Sequence, residues 1–554
     1  MNLRSIFPPA QWLPAYEAKW LPKDLVAGIT LAAYAVPVSL AYATLAGMPP
    51  QNGIYCYLMA GLVYALFGTS RQLAIGPTSA ISMLVGVTVA GMAGADQARW
   101  IGIAGLTALV VAGMCMISWA LRLSTLISFI SETILVGFKA GAALSIAMTQ
   151  LPKMFGVPGG GEHFFQKVWV LITQLPSTNI VVFIFGVCAL AFLLIGEKLL
   201  PGRPVALMLV IASIVIVSTT SLLQYGIKVV GEIPQGLPPL GPPSLRLRDV
   251  DGVIPLAFAC FLLAYIEGIS AARAIAERHD RTIDARQELL GLGAANLAAA
   301  FGQGYPVAGG LSQSAVNDKA GAKTPLALVV ASGSLALCLL FLTGLLRNLP
   351  SVVLAAIVLI AVKGLINITA LKNIYRVSRY EFRISMVALV GVLLLGILKG
   401  VLLAAIASIL MLLARASRPH VAFLGRIPGT KRFSDMERNP DNESLPGVVI
   451  FRVEAALLYF NTDYVSKMVS EKVKSTPAPT AVICDLSNSP VVDMAAARML
   501  SKLHDDFRKQ GVIMRLAETR SVVRDMLRAE GLENRIGPIN RHTSVNDAVE
   551  ALLS

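Results

Sequence analysis

Two short apolar segments of this 554-residue chain open on residues suited to holding an anion. Gly76-Pro77-Thr78-Ser79-Ala80 leads into the apolar run 78–93, and Tyr305-Pro306-Val307-Ala308-Gly309-Gly310 leads into one that starts at Leu311 and Ser312. A helix beginning after such a break presents free N–H groups and about +0.5 of an elementary charge at its N-terminus. An anion that gives up water inside a bilayer needs replacements of that kind. The amides of Thr78, Ser79 and Ala80, set against those of Gly309, Gly310, Leu311 and Ser312, would supply them. The hydroxyls of Thr78 and Ser312 add donors, and the two glycines let backbone come close. The competing reading is that Pro and Gly here only kink packed helices.

Glu267 is the second chemical signal. It sits mid-way along an apolar run, in Leu263-Ala264-Tyr265-Ile266-Glu267-Gly268-Ile269-Ser270. A carboxylate at such a place costs about 3 kcal/mol on insertion scales and marks an ion path by default. With Ser270 as its nearest hydroxyl in sequence, it suits a proton better than a hard cation that needs many oxygens. The structural alternative is a pair with Arg273 or Lys363. Lys139 and Lys363 are further charges in apolar runs, either lending positive potential to an anion path or snorkelling. No nucleophile–base pair, metal set or cofactor fingerprint stands beside these residues, so an enzyme is not expected, nor any cofactor or metal.

The elements that must position them are membrane helices. Hydrophobic residues make up 55% of the chain and charged residues 14%. The net charge is 47 − 33 = +14. Residues 1–420 hold 29 Lys+Arg and 16 Asp+Glu, whereas 421–554 hold 18 and 17. The tail is thus charged at roughly the density of a soluble domain and the rest is not. Apolar runs fall at about 25–46, 51–68, 99–121, 126–150, 179–200, 204–224, 253–276, 286–302, 325–346, 350–370 and 384–415, the last long enough for two spans. With the two interrupted runs this gives roughly 14 spans of up to ~20 residues. The basic residues cluster in alternate short loops, which the positive-inside rule explains without a nucleic-acid partner. The same rule and the even count put both termini in the cytoplasm. Six cysteines show no CxxC spacing and read as small hydrophobes rather than disulfide or metal residues.

The spans repeat. Pro77 and Pro306, each before a short helix, lie 306 − 77 = 229 positions apart, and Lys139 and Lys363 lie 363 − 139 = 224 apart. Seven spans from residue 24 and seven from about 253 make two halves. Because seven is odd, the second half enters from the opposite side. Paired broken helices in such an inverted repeat point to a midplane binding site. The tail changes period: Val448–Phe451, Ala481–Leu486 and Gly511–Leu516 read as strands, Asp493–Lys509 and Ser521–Glu530 as helices, and 428–446 as a flexible insertion. The expected organisation is an N-terminal segment 1–23, a transmembrane domain 24–419 with repeats at about 24–225 and 253–416, and an α/β tail 420–554.

These residues resemble the sulfate permease (SulP) family. The resemblance is carried by Gly47-Met48-Pro49-Pro50-Gln51-Asn52-Gly53-Ile54-Tyr55, by Leu66-Phe67-Gly68-Thr69-Ser70-Arg71 with Gly76-Pro77, and by Gln287-Glu288-Leu289-Leu290-Gly291-Leu292-Gly293 with Asn296. The run Tyr305 to Asn317 completes it, and the tail is similar to the family's cytoplasmic STAS domain. The resemblance covers essentially the whole chain. It implies 14 segments in two inverted sets of seven, arranged as core and gate subdomains, a homodimer, and substrate held between the N-termini of the third and tenth helices. It also implies a bacterial inner-membrane location.

Several positions take their meaning from that resemblance. Tyr42 falls at an aromatic pocket position of the first helix, to cover the anion or to pack. Val38 stands where many relatives have Gln, and Gln313 where many have Arg, so the site lacks one donor and one full positive charge. Glu267 falls at the family's acidic coupling-ion position. Sodium-dependent bicarbonate relatives have Asp there with a hydroxyl one turn later, where this chain has Ala271. The implied function is secondary active transport of small anions of the bicarbonate, sulfate or dicarboxylate class, coupled to protons, by alternating access. Sodium-coupled bicarbonate uptake and an uncoupled channel or exchanger are the alternatives. In the tail Met494, Ala495 and Ala496 follow Asp493, so the serine of phospho-switch relatives is missing and a docking or dimerisation role is expected.

Overall fold

A computed structural model describes residues 7–94, 96–123, 132–161, 163–200, 203–244 and 247–553. The chain divides into two compact units, Met1–Ser408 and Ile409–Ser554.

The first unit is helical. Its first half runs α1 (Leu21–Leu45), α2 (Pro50–Phe67), β1 (Ile75–Gly76), α3 (Ser79–Ala93), α4 (Gln97–Ala120), α5 (Glu132–Phe155), α6 (Phe164–Gln174), α7 (Ile180–Leu199) and α8 (Val205–Thr219). The second runs α9 (Leu247–Arg278), α10 (Ala285–Phe301), β2 (Ala308–Gly309), α11 (Leu311–Lys319), α12 (Leu326–Leu346), α13 (Ser351–Lys363), α14 (Ile368–Val377), α15 (Arg379–Leu395) and α16 (Ile397–Ser417). Among the described residues, eight helices are long and apolar enough to cross a membrane, and α3 and α8 are shorter apolar helices. The start of the run expected at 126–150 lies outside the described residues. The break expected near Gly396–Gly400 is at Gly396, whose φ of 86° ends α15 and lets α16 begin at Ile397.

The helices sort into two groups. α1 and α2 pack on each other and on α12, while α10 packs on α2 and α4, and α9 on α3 and α4. In the other group α5 packs on α13 and α15, and α7 on α13 and α8. These are the two groups, core and gate, that the family resemblance implies. Two buried carboxylates stitch the repeats together reciprocally. Asp24 of α1 accepts from the amides of Lys323 and Thr324, just before α12, at 2.7 and 3.1 Å, and from the Thr324 hydroxyl at 2.7 Å. Glu288 of α10 accepts from the amides of Thr69 and Ser70, just before β1, at 2.8 and 3.1 Å, and from the Tyr64 hydroxyl at 2.7 Å. Each acid satisfies backbone that must turn where helix hydrogen bonding stops. Asp24 is wholly buried, so Asp24→Ala strands three donors and costs about 3 kcal/mol or more. The check is a lowered thermal midpoint of the detergent-purified variant, with Asp24→Asn less affected.

The second unit is an α/β domain. Its sheet comprises β3 (Val421–Arg426), β4 (Phe433–Asp435), β5 (Val448–Val453), β6 (Ala481–Asp485) and β7 (Ile513–Ala517), in the order β4-β3-β5-β6-β7. β5, β6 and β7 are parallel, with α17 (Thr462–Ser475) and α18 (Met494–Arg508) as the crossovers. α19 (Ser521–Ala529), α20 (Glu533–Ile536) and α21 (Val545–Leu553) follow. Alternation along the strands sends Val449, Phe451 and Val453 to the face covered by α17, α18 and α19, and Ile450 to the face covered by α21. The span 428–446, expected as a flexible insertion, instead contains β4, whose Phe433–Asp435 pairs antiparallel with Leu424–Arg426. Three residues are too few to show a period, so composition concealed them.

Candidate anion site

α3 has fifteen residues and α11 nine, rises of about 22 and 14 Å against a hydrocarbon core of about 30 Å. Each is a half-helix whose missing depth is crossed by extended backbone, which is tolerated in a membrane only where its polar groups find partners within the protein. Here they do. β1 and β2 cross antiparallel, Ile75 opposite Gly309 and Gly76 opposite Ala308. Asn296 clamps Val307 from both sides, accepting from its amide at 3.0 Å and donating to its carbonyl at 3.1 Å. Ser314 accepts from the Ala74 amide at 2.9 Å, and Asn317 donates to the Gln72 carbonyl at 3.0 Å. The two helix tips are thus locked to a common two-strand bridge.

Of the predicted residues Gly309 lies on that bridge, Thr78–Ala80 and Gly310–Gln313 lie at the helix tips beside it, and Tyr42 lies on α1. Thr78 caps α3 and Gly310 caps α11, and neither start has a side-chain cap. Thr78, Ser79, Ala80 and Gly309 are buried, whereas Leu311 and Ser312 are exposed at the tip of α11. Tyr42 is buried, with its hydroxyl beside Ser79. Gln313 is different in kind. Its carbonyl accepts from the Tyr57 hydroxyl at 2.6 Å, and its amide nitrogen donates to the carbonyls of Ala74 and Ala308 at 3.0 and 3.3 Å. It binds β1 to β2, and its donors face protein rather than the space between the tips.

Glu267 joins the same cluster. The following residue, Gly268, packs so closely on β2 that a Cβ built on Gly309 would lie 3.0 Å from the Gly268 Cα. The Glu267 carboxylate reaches towards the Thr78 hydroxyl and lies within electrostatic range of Lys139 on α5. The Thr78 oxygen is buried without closing a hydrogen bond. Of the cations weighed from sequence as partners for Glu267, Arg273 and Lys363 are both exposed. Lys139 is the one that comes near, next to Phe138, which lines a small apolar cavity with Ile266. The arrangement therefore offers amides and hydroxyls at two positive helix ends, one carboxylate beside them, and one ammonium facing that carboxylate across α5 and α9.

Sequence reasoning gave no role to Tyr57, Asn296, Ser314 or Tyr305. Tyr305 meets Ser82 of α3 at 3.1 Å through its hydroxyl. Their signal was available, since each is a polar group in or beside an apolar run and must have a partner there. For Tyr57, Ser314 and Tyr305 the partner lies more than 200 residues away, whereas Asn296 meets Val307 in the same half. In the second unit Asp493 caps α18, accepting from the Ala496 amide at 2.8 Å, and Met494 is exposed where a phosphorylatable serine would stand.

Comparison with known proteins shows the family and the fold. The sequence profile of the sulfate permease family matches residues 21–388, and that of the STAS domain matches residues 439–548. β3 precedes the second match yet belongs to the same sheet. A probable sulfate transporter of Mycobacterium tuberculosis is 32% identical over 549 residues, covering 98% of each chain. High affinity sulfate transporter 1 of Stylosanthes hamata is 30% identical over 577 residues, covering 99% of this chain and 86% of its own. Among solved structures, murine solute carrier 26 family member A9, an anion transporter in its inward-facing state, superposes with a TM-score of 0.90 at 24% identity, over 99% of this chain and 94% of that one. The transmembrane domain of a cyanobacterial bicarbonate transporter gives 0.61 at 20% identity, over 71% and 98%.

Proposed function

The chain belongs to the sulfate permease family of anion transporters, and from that premise we propose that it is a proton-coupled symporter of a small oxyanion, working by alternating access. The anion sits between the amides of Thr78–Ala80 and Gly309–Ser312, with Tyr42 packed beside Ser79. The observation that carries this reading is the β1–β2 bridge, which fixes two half-helix N-termini at one place. Sulfate is the leading substrate, because the full-length relatives carry that name. The helix tips hold no full positive charge, and Gln313 stands tied to backbone where an arginine would provide one. A divalent anion entering such a site is eased by a proton that arrives with it, and Glu267 is the group placed to take that proton.

Alternating access then moves the group of α1–α4 and α9–α12 against that of α5, α7, α8 and α13–α16. The remaining apolar helices bring the membrane segments to fourteen. Both termini lie in the cytoplasm of a bacterial cell, the protein works as a homodimer, and the STAS domain docks a cytoplasmic partner. The deciding measurement is uptake of labelled sulfate, bicarbonate and a dicarboxylate by purified protein in liposomes, with proton and sodium gradients imposed separately. Sulfate accumulation driven by an inward proton gradient is expected. Accumulation driven only by sodium, or mere dissipation of an anion gradient, overturns the coupling.

A further inference from the structure

A second binding feature lies on the outer face of the membrane unit, away from the helix tips. Along α15, with Leu403 of α16 on one side, runs an open apolar groove of about 610 Å³ lined by Phe382, Met386, Val387, Val390, Leu394 and Leu403, among others. The lining repeats at helical spacing from Phe382 to Leu395. Thirteen steps give a groove about 20 Å long, enough to cross one leaflet's share of a ~30 Å hydrocarbon core. A Cβ on Gly391 would meet Leu403 at 2.8 Å, so the groove's floor is where α16 comes closest.

The polar residue at its mouth is Arg383. One turn before it stands Arg379, and α14 just before contributes Lys372 and Arg376, all four exposed. Between residues 364 and 396 these four cations face a single acid, Glu381, a balance of 4 − 1 = +3. None of the four forms an ion pair among the described residues, and Arg379 rests instead over the ring of Tyr375 at 5.8 Å. α14 has no buried residue and is strongly amphipathic, with Ile368, Tyr375 and Val377 exposed beside the cations. That is the pattern of a helix lying in the interface plane. The positive-inside rule alone would account for loose basic residues, but not for Arg383 standing in the lining at the end of a leaflet-length apolar groove with Arg379 one turn before it on the same helix.

We propose that this groove is a binding site for an anionic glycerophospholipid, one acyl chain lying along α15 and the headgroup phosphate held by Arg379 and Arg383. Basic residues at the headgroup level attract anionic lipid.

The test uses the full-length protein in mild detergent, titrated with phosphatidylglycerol or with phosphatidylcholine of the same acyl chains. Bound lipid is counted by native mass spectrometry. Wild type is expected to bind phosphatidylglycerol about tenfold more tightly than phosphatidylcholine. Arg379→Gln with Arg383→Gln removes that preference, whereas Val390→Trp, which fills the groove, weakens both lipids alike. Equal binding of the two lipids by wild type overturns the proposal without recourse to any variant. So does a preference that survives the double substitution. High-yield disulfide formation between chains carrying Val390→Cys in liposomes would also overturn it, because the groove would then be covered by a second copy.

Discussion

Glu267→Gln is expected to abolish the dependence of uptake on a proton gradient while leaving a downhill anion flux. Wild-type uptake should rise as external pH falls below internal pH. The variant's uptake should be flat across the same range and lower than wild type by tenfold or more under the gradient. The substitution keeps the shape of the side chain but fixes it permanently in a neutral form, so no proton can be loaded on one side and released on the other. Its surroundings make it the right group to change. Thr78, which caps one of the two helix tips, offers its hydroxyl towards this carboxylate and has no other partner. Lys139 lies within range on α5. A charged carboxylate attracts Lys139 and a protonated one does not. On the reading proposed above, proton binding would therefore bear on both the anion site and the attraction between the two helix groups. The measurement is labelled sulfate uptake in liposomes at matched and unmatched pH. An unchanged pH profile in the variant would remove Glu267 from the coupling path.

Much of this was legible in the residues. Long apolar runs announce the membrane helices because each must satisfy its own backbone and cover itself with hydrophobic side chains. The two broken runs, at Thr78 and Leu311, announce the half-helices because Pro and Gly interrupt the hydrogen-bond ladder. Their start sites differ by 311 − 79 = 232 positions in the structure, against 229 from matching Pro77 to Pro306. The prolines lie at different distances from the helix starts and so are not equivalent. What sequence could not convey is partnership across the repeats. Gln313 reads as part of the anion site, yet Tyr57 and the carbonyls of Ala74 and Ala308 claim it. Asp24 closes a turn three hundred residues away, a partner that nothing in its local sequence points to. Lys139 could not be assigned to Glu267 over Arg273 or Lys363, because the choice rests on how α5 packs against α9. In the second unit the three parallel strands β5, β6 and β7 were evident from their apolar runs, whereas β3 and β4 lie beside turn-forming residues and become strands through pairing with their neighbours.

Ser312→Trp is expected to reduce sulfate uptake by about a hundredfold or more, with little loss of stability. The asymmetry of the two tips is the reason. On the α3 side Thr78 and Ser79 are buried, so a large side chain there would disrupt packing and the result would be uninterpretable. On the α11 side Ser312 is exposed, and a bulky ring can be accommodated by the fold while it occupies the space the anion needs. An anion displaced from the tips loses hydrogen bonds to amides and hydroxyls, each worth roughly 1.5–3 kcal/mol when one partner is charged. Two such losses already exceed a hundredfold in affinity. Ser312→Ala, which removes only the hydroxyl, should raise the half-saturating concentration about tenfold and spare the maximal rate, since the backbone amides remain. Thermal midpoints of both variants within a few degrees of wild type establish that the fold is intact. If Ser312→Trp then transports sulfate with unchanged affinity, the anion does not lie at the tip of α11. The bridge of β1 and β2 would in that case be a structural tie between repeats, with the substrate path elsewhere in the helical unit.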